Sequence, residues 1–182
     1  TFLCPHLVQF SLQGDGKRDF PPTFSYHQPY WEQFRVMNDY LARVSWAVSR
    51  GKSAAETLVL HPIGSACGAF DMGAEDGGKE LRAVETSFRG LIDELLAGHV
   101  DFDLGDERIL IAHGAVEGDR LKVGEMRYRA VVLPAAFTWL SSTLDLLDSF
   151  TGPIILMGEA PGRVSGAPSD RMHDFIRKPN II

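Results

Sequence analysis

The sequence predicts an α/β domain in which a mostly parallel sheet is covered by helices on both faces. The first observation is that short apolar runs alternate with amphipathic helical patterns along the chain. The second is that the apolar runs, such as 57–61 and 153–158, lack the polar alternation of a sheet with one solvent-exposed face. Because crossovers between parallel strands are right-handed, these features favour a flavodoxin-like or Rossmann-like layout.

Charge and composition exclude several classes of protein. Among the 182 residues, 18 Lys and Arg stand against 24 Asp and Glu, a net charge of −6, whereas nucleic-acid binding needs a basic stripe. A hydrophobic content of 45% can fill a core, and two cysteines are too few for a disulfide-stapled scaffold. No run approaches the roughly 20 apolar residues of a membrane helix. We therefore expect neither nucleic acid nor a membrane as a partner.

The first 52 residues are predicted to form a separate part of the chain. An apolar run over 3–11 is typical of a buried strand, and 12–28 form a long loop with two glycines and two prolines. Apolar residues in steps of three and four predict a helix over 30–50, which Gly51 ends. Six bases and four acids lie in these 52 residues and 12 bases and 20 acids in the remainder, so we place a domain boundary there.

The second domain begins with a strand, a loop and a helix. The apolar run 57–61 predicts the strand, and the following stretch 63–78 is rich in glycine, which is typical of a loop. An apolar stripe over 79–97 predicts the helix, which Gly98 ends. This order of elements is the start of a parallel α/β unit.

Further strands are expected in the rest of the second domain. Three short strand regions lie between 100 and 134, with a hairpin turn around 117–119. The apolar run 153–158 predicts a last complete strand, and 179–182 look like the opening of another one. Since the chain also starts without an initiator methionine, we expect it to be a fragment of a longer protein.

One more helix is predicted between these strands. Ser141 or Ser142 can serve as its N-cap, and Asp145 follows Ser142 by three residues, as in a capping box. The apolar face of this helix would contain Leu144 and Leu147.

The glycines match neither of the common nucleotide-binding loops. Gly64, Gly68 and Gly73 have the wrong spacing for G-x-G-x-x-G, in which the backbone approaches a pyrophosphate. The Gly-Lys-Ser triplet at 51–53 precedes the first strand of the sheet, whereas a P-loop follows a strand. We therefore expect no nucleotide and no other cofactor.

Cys67 is the candidate nucleophile, because class I amidotransferases use a Cys, His and Glu triad on a related sheet. A nucleophile elbow has glycine two residues before and two residues after the nucleophile, where crowding is severe. Cys67 has Ser65 and Ala69 at these positions, which favours a structural thiol. A free-standing amidotransferase-like enzyme that uses Cys67 with His61 or His113 is the alternative.

A short acidic string lies between residues 101 and 107. Asp101, Asp103, Asp106 and Glu107 lack the central glycine and the glutamate at the twelfth position that such a loop requires. We interpret these acids as a solvated strand end and expect no metal site.

Charged side chains and flat rings occur together in the long loop and at the start of the first helix. The charged groups can form hydrogen bonds with hydroxyls, and the rings can cover the C–H face of a sugar. The alternative is a loop whose rings pack against the helix behind it. The candidate binding residues are Lys17, Arg18, Asp19, Tyr26, His27 and Trp31.

The same segment resembles the end of the catalytic (β/α)₈ barrel of α-L-rhamnosidase-like glycoside hydrolases. In that family a final barrel strand leads to a loop with a KRD triplet and a proline pair, and then to a long helix. The matching residues are Lys17, Arg18, Asp19, Pro21, Pro22, His27, Pro29, Tyr30 and Trp31. The stretch 126–158 is similar to the family's next part, a class I amidotransferase-like, flavodoxin-type domain, as in some β-galactosidases.

The resemblance implies that 1–52 are the C-terminal end of a TIM-barrel glycosidase domain and that 53–182 are an accessory domain, truncated at its C-terminus. Catalytic carboxylates would lie on upstream strands, so this chain would hold no catalytic residue and be inactive alone. The loop residues would bind and orient a rhamnose- or galactose-type sugar. The implied partners are this carbohydrate, the rest of the parent polypeptide and, through the accessory sheet, a second copy. A non-catalytic ligand-binding or oligomerisation module is the remaining alternative.

Overall fold

The computed structural model describes residue 24 and residues 26–182, which belong to two units, Thr1–Ser53 and Ala54–Ile182. The predicted strand over 3–11 lies outside the described residues. The helices are α1 (Phe34–Ser49), α2 (Ile63–Ala69), α3 (Lys79–Ala97), α4 (Glu107–His113), α5 (Ser141–Asp148) and α6 (Arg171–Phe175). The strands are β1 (Thr57–Leu60), β2 (Phe102–Gly105), β3 (Gly114–Glu117), β4 (Arg120–Val123), β5 (Met126–Tyr128), β6 (Ala130–Leu133), β7 (Ile154–Leu156), β8 (Arg163–Val164) and β9 (Ala167–Pro168).

Aromatic side chains surround the start of α1 in the first unit. The ring centroid of Phe34 lies 5.5 Å from that of Phe24, 5.6 Å from that of Tyr30 and 5.7 Å from that of Trp31. The helix predicted over 30–50 is confirmed as α1, although it begins four residues later because the preceding residues form turns. No residue of α1 is buried.

The second unit is built on a parallel sheet in the order β2-β1-β6-β7. The strand β1 lies between β2 and β6, and its pairing with each of them begins at Thr57. Thr57 is opposite Phe102 of β2 and Ala130 of β6. The run 57–61, rich in leucine and valine, suits a strand that is buried on both faces. The predicted mostly parallel sheet is confirmed.

The last residues of the chain lie along the free side of β7. Ile181 forms a parallel bridge with Ile154, and the N–H of Ile182 donates a hydrogen bond of 2.9 Å to the carbonyl of Ile154. Residues 179–182, predicted as the opening of a further strand, form an isolated bridge with β7 and no strand. Ranked by their order in the chain, the four parallel strands lie as 2-1-3-4, which is consistent with a flavodoxin-like fold.

Helices flank both faces of this sheet, as predicted. Successive side chains of a strand point to opposite faces, so Leu58 and Leu60 face one way and Val59 faces the other. Leu58 and Leu60 join a large core that contains Leu110 of α4 and residues of α5, whereas Val59 packs with Leu91 of α3. Among the residues that the structure describes, no helix has both the length and the apolar character needed to cross a membrane.

A three-stranded antiparallel sheet of β3, β4 and β5 is inserted between α4 and β6. Glu117 pairs with Arg120, so Gly118 and Asp119 form the tip of a two-residue hairpin turn. Gly118 has a φ of 64°. Two-residue hairpin turns favour a positive φ at their first central residue, and glycine adopts it without strain. The predicted hairpin at 117–119 is confirmed.

Two helices lie where the sequence predicted other structures. The predicted glycine-rich loop over 63–78 contains α2, and the apolar run at 109–113, predicted as a strand, belongs to α4. The carboxylate of Asp106 starts α4, because it accepts hydrogen bonds from the N–H groups of Arg108 at 2.8 Å and Ile109 at 3.2 Å. A short apolar run alone does not distinguish a buried strand from a buried helix.

The predicted capping box of α5 is wrong. The N-cap of this helix is Leu140, and no side chain caps it. Ser141 and Asp145 instead bind Arg171 of α6, whose guanidinium donates hydrogen bonds of 2.6 Å to the Ser141 hydroxyl and 2.5 Å to the Asp145 carboxylate. These polar residues therefore attach α6 to α5.

Candidate functional site

The carboxyl ends of the parallel strands form the expected ligand-binding edge of an open α/β sheet. At this edge β1 leads into α2, β2 leads into α4, and β6 and β7 lead into the loops 134–140 and 157–162. In the sheet, β2 lies on one side of β1, and the later strands β6 and β7 lie on the other side. The strand order therefore reverses between β1 and β6, which flank the topological switch point.

Ser65 fills the space between the segments that follow β1 and β6. Its side chain is fully buried in α2, and its hydroxyl donates a hydrogen bond of 2.6 Å to the carbonyl of Thr138. The same hydroxyl accepts a hydrogen bond of 2.9 Å from the N–H of Thr138. The hydroxyl of Thr138 in turn accepts a hydrogen bond of 3.0 Å from the N–H of Gly166. The switch point is therefore closed by side-chain and backbone contacts.

Glu107 closes the neighbouring part of this edge. Its side chain at the start of α4 is only 4% exposed, and its carboxylate accepts a hydrogen bond of 2.7 Å from the N–H of Leu140. A Cβ atom on Gly64 would lie 3.4 Å from the other carboxylate oxygen, so α2 packs closely over the group. Burial raises the pKa of Glu107, and the hydrogen bond from Leu140 offsets part of this rise.

The interpretation of the acidic string as a solvated strand end is wrong for most of its members. Glu107 is buried, Asp106 caps α4, and Asp103 accepts a hydrogen bond of 2.9 Å from the hydroxyl of Tyr128. Burial and this bond to Asp103 raise the pKa of Tyr128. Across residues 24 and 26–182, no group of three or more His, Cys, Asp or Glu side chains is arranged to hold a metal ion.

Cys67 lies on the exposed side of α2, in a regular helical turn. A nucleophile elbow instead holds its residue on a strained turn between a strand and a helix. The ring of His61 packs edge-on against Phe88 at 5.0 Å, and His113 ends α4, about 10 Å along the helix from the sheet edge. In the described part of the chain, no hydrogen bond joins Cys67 to either histidine.

The predicted sugar-binding residues belong to the first unit. Lys17, Arg18 and Asp19 lie outside the described residues. Tyr26 is 72% exposed, and its ring centroid lies 4.0 Å from that of His27. The ring of Trp31 is instead turned towards Phe34, although 44% of the residue stays exposed. The described structure therefore brings Tyr26 and His27 together.

A cleft of about 420 Å³ lies beside the closed switch point, between the loops that follow β6 and β7. The guanidinium of Arg163 lies 4.9 Å from the ring centre of Phe137 and donates a hydrogen bond of 3.1 Å to the carbonyl of Gly166. The exposed Glu159 lines the same cleft. The sequence does not predict this cleft, because its residues come from two loops and a hairpin with no motif in common.

The chain matches no model of a known protein family, and its sequence matches no curated protein. Conclusions about its function therefore depend on its own residues and their geometry. The resemblance to α-L-rhamnosidase-like hydrolases remains a prediction.

Proposed function

We propose that the second unit is a non-catalytic accessory domain of a larger α-L-rhamnosidase-like glycoside hydrolase, whose barrel would include the first unit. The proposal combines two kinds of support. The KRD triplet, the proline pair and the aromatic segment of the first unit resemble the end of that family's barrel. In the second unit, the switch point between β1 and β6, where an enzyme of this architecture would hold its reactive groups, is closed by internal contacts.

The closed switch point is the observation that carries the proposal. Ser65 and Glu107 are polar side chains buried at this edge, and both form hydrogen bonds with backbone groups of the segment after β6. A general acid or nucleophile must reach the reacting atoms of a substrate. A fully buried hydroxyl and a carboxylate that is 4% exposed do not reach a substrate in solution.

The first experiment tests hydrolysis by the 182-residue chain itself. We expect no cleavage of aryl α-L-rhamnosides or aryl β-galactosides above the uncatalysed rate, because glycoside hydrolysis needs two carboxyl groups that flank one bond. Absorbance of the released aryl alcohol measures the rate. The variants Glu107→Gln and Glu159→Gln should behave like the parent chain. Turnover that either substitution abolishes would contradict the proposal.

The second experiment tests the amidotransferase alternative through the reactivity of Cys67. In a chain with Cys4→Ser, we expect iodoacetamide to label Cys67 no faster than the cysteine of a short peptide under the same conditions. The reason is that Cys67 is exposed on α2 and makes no side-chain hydrogen bond within the described residues. Mass spectrometry follows the labelling.

A matched variant makes this result specific. His61→Gln should leave the labelling rate unchanged, because the His61 ring contacts Phe88. Rapid labelling at about pH 6 that is lost in His61→Gln or His113→Gln would indicate an activated thiolate. It would support the alternative of an amidotransferase-like enzyme.

In the parent enzyme, the loop of the first unit would contribute to the substrate site. Loops that follow barrel strands build the catalytic face of such barrels. The proposed role of Lys17, Arg18 and Asp19 is to form hydrogen bonds with sugar hydroxyls. Tyr26, His27 and Trp31 would contact the apolar face of the sugar.

A further inference from the structure

Two opposite charges line the cleft of the second unit without pairing with each other. Glu159 is exposed and forms no hydrogen bond or ion pair with any residue in the described part of the chain. The guanidinium of Arg163 donates to the carbonyl of Gly166 and lies over Phe137, and no carboxylate among the described residues is within ion-pair distance of it. The cleft therefore offers free acceptor groups on one wall and free donor groups on another.

The arginine is held in place before any ligand binds. Arg163 pairs with Pro168 in the β8–β9 hairpin, and the neighbouring Val164 forms a parallel bridge with Trp139, which is fully buried. The ring of Phe137 lies close to α2, since a Cβ atom on Gly68 would be 3.5 Å from it. A donor that is already oriented loses less side-chain entropy when it binds a ligand.

The position and size of the cleft suit a small molecule. It lies beyond the carboxyl ends of the adjacent strands β6 and β7, where open α/β sheets bind ligands. Its volume of about 420 Å³ lies within the usual range for small-molecule sites, about 300 to 1,000 Å³. Ala136, Ala160 and Pro161 supply apolar wall between the two charged groups.

We propose that this cleft binds a neutral polyhydroxylated ligand of monosaccharide size, which bridges Glu159 and Arg163. A hydroxyl group both donates and accepts, so adjacent hydroxyls of one sugar serve the carboxylate and the guanidinium together. Glu159 and Arg163 carry opposite charges, so neither an anion nor a cation is attracted by both groups. The apolar walls contact the C–H groups of the sugar ring. This inference does not depend on the proposed glycosidase parent.

The test is titration of the 182-residue chain with L-rhamnose, D-galactose and D-glucose, followed by calorimetry and by saturation-transfer NMR. We expect saturable binding of at least one sugar in the millimolar range, and a loss of affinity of about tenfold or more in Glu159→Gln and in Arg163→Gln. Arg89→Gln, which removes an exposed arginine on α3, is the matched control and should bind like the parent. Because Glu159 is exposed, its variant should keep the parent's melting temperature and so remains informative if Arg163→Gln unfolds.

A variant of the first unit separates this cleft from the predicted sugar-binding loop. Tyr26→Ala should leave binding at the cleft unchanged. Binding that is lost in Tyr26→Ala and retained in Glu159→Gln would overturn the inference and support the loop instead. The absence of saturable binding up to about 50 mM, or tighter binding of glycine and L-alanine than of any sugar, would also overturn it.

Discussion

Replacing Ser65 with alanine should lower the free energy of unfolding of the second unit by about 2 kcal/mol. The Ser65 hydroxyl is fully buried and forms hydrogen bonds with both the N–H and the carbonyl of Thr138. Alanine removes both bonds and leaves two buried backbone groups without a partner, which costs more than the lost bonds themselves. Urea unfolding followed by circular dichroism measures the change.

Ser142→Ala is the control for this experiment. Ser142 is half-buried on α5, and its side chain makes no hydrogen bond with the described residues, so the change should stay within about 0.5 kcal/mol. Equal stability of the Ser65→Ala variant and the parent chain would contradict the view that this hydroxyl fastens α2 to the segment after β6.

Replacing Glu107 with glutamine should change how stability depends on pH. Burial holds the pKa of Glu107 above its ordinary value of 4.5, although the N–H of Leu140 donates a hydrogen bond to the carboxylate. Glutamine keeps an oxygen acceptor for Leu140 and removes the buried charge. Near pH 7 we therefore expect a gain in unfolding free energy on the order of 1 kcal/mol.

The direction of this pH dependence follows from whether the folded and the unfolded protein bind a proton at Glu107. Between pH 4.5 and the higher pKa of the folded protein, the folded state keeps a proton that the unfolded chain has released. The stabilising contribution of protonated Glu107 is complete below pH 4.5 and is lost as the pH rises through the folded pKa. The difference between parent and variant should therefore grow with pH across this window.

Urea unfolding at a series of pH values measures that difference. Other carboxyl groups have the opposite effect: burial alone would raise the pKa of Asp148, but hydrogen bonds from Lys178 and Arg171 lower it. Subtracting the unfolding free energy of the parent from that of the variant at each pH removes the contribution of these other carboxyl groups. Glu125→Gln, on an exposed turn, should give a curve parallel to that of the parent. A parallel curve for Glu107→Gln as well would contradict a raised pKa.

The sequence predicts those elements of the fold that have a strong period or a clear terminal signal. The helix over 79–97 is confirmed with the same bounds, because its apolar stripe runs for five turns and Gly98 follows it. The strands at β1 and β7 and the hairpin at Gly118 are confirmed for similar reasons. The sequence does not predict the short helices α2 and α4, because seven residues make about two turns, too few to show a clear period.

The contacts at the sheet edge could not be predicted, because their partners are far apart in the chain. Ser65 and Thr138 are separated by 73 residues, and Glu107 and Leu140 by 33. Ser65 is close to Cys67, the residue that the sequence suggested as a nucleophile, but nothing local marks which of them is buried. The environment of Glu107 likewise depends on α5 and α2 packing over it, not on its acidic neighbours.

The central position of β1 affects how the second unit folds during synthesis. β1 is the first strand of its sheet to leave the ribosome, yet both of its neighbours are made later, and the second of them ends at Leu133. Until then the two backbone edges of β1, which holds Leu58 and Leu60, cannot both be paired. Pairing is also slow, because the long stretches of chain between β1 and its neighbours must first close into loops. The nascent chain therefore exposes an apolar strand while residues 61–133 are made, and it is during this interval that aggregation competes with folding.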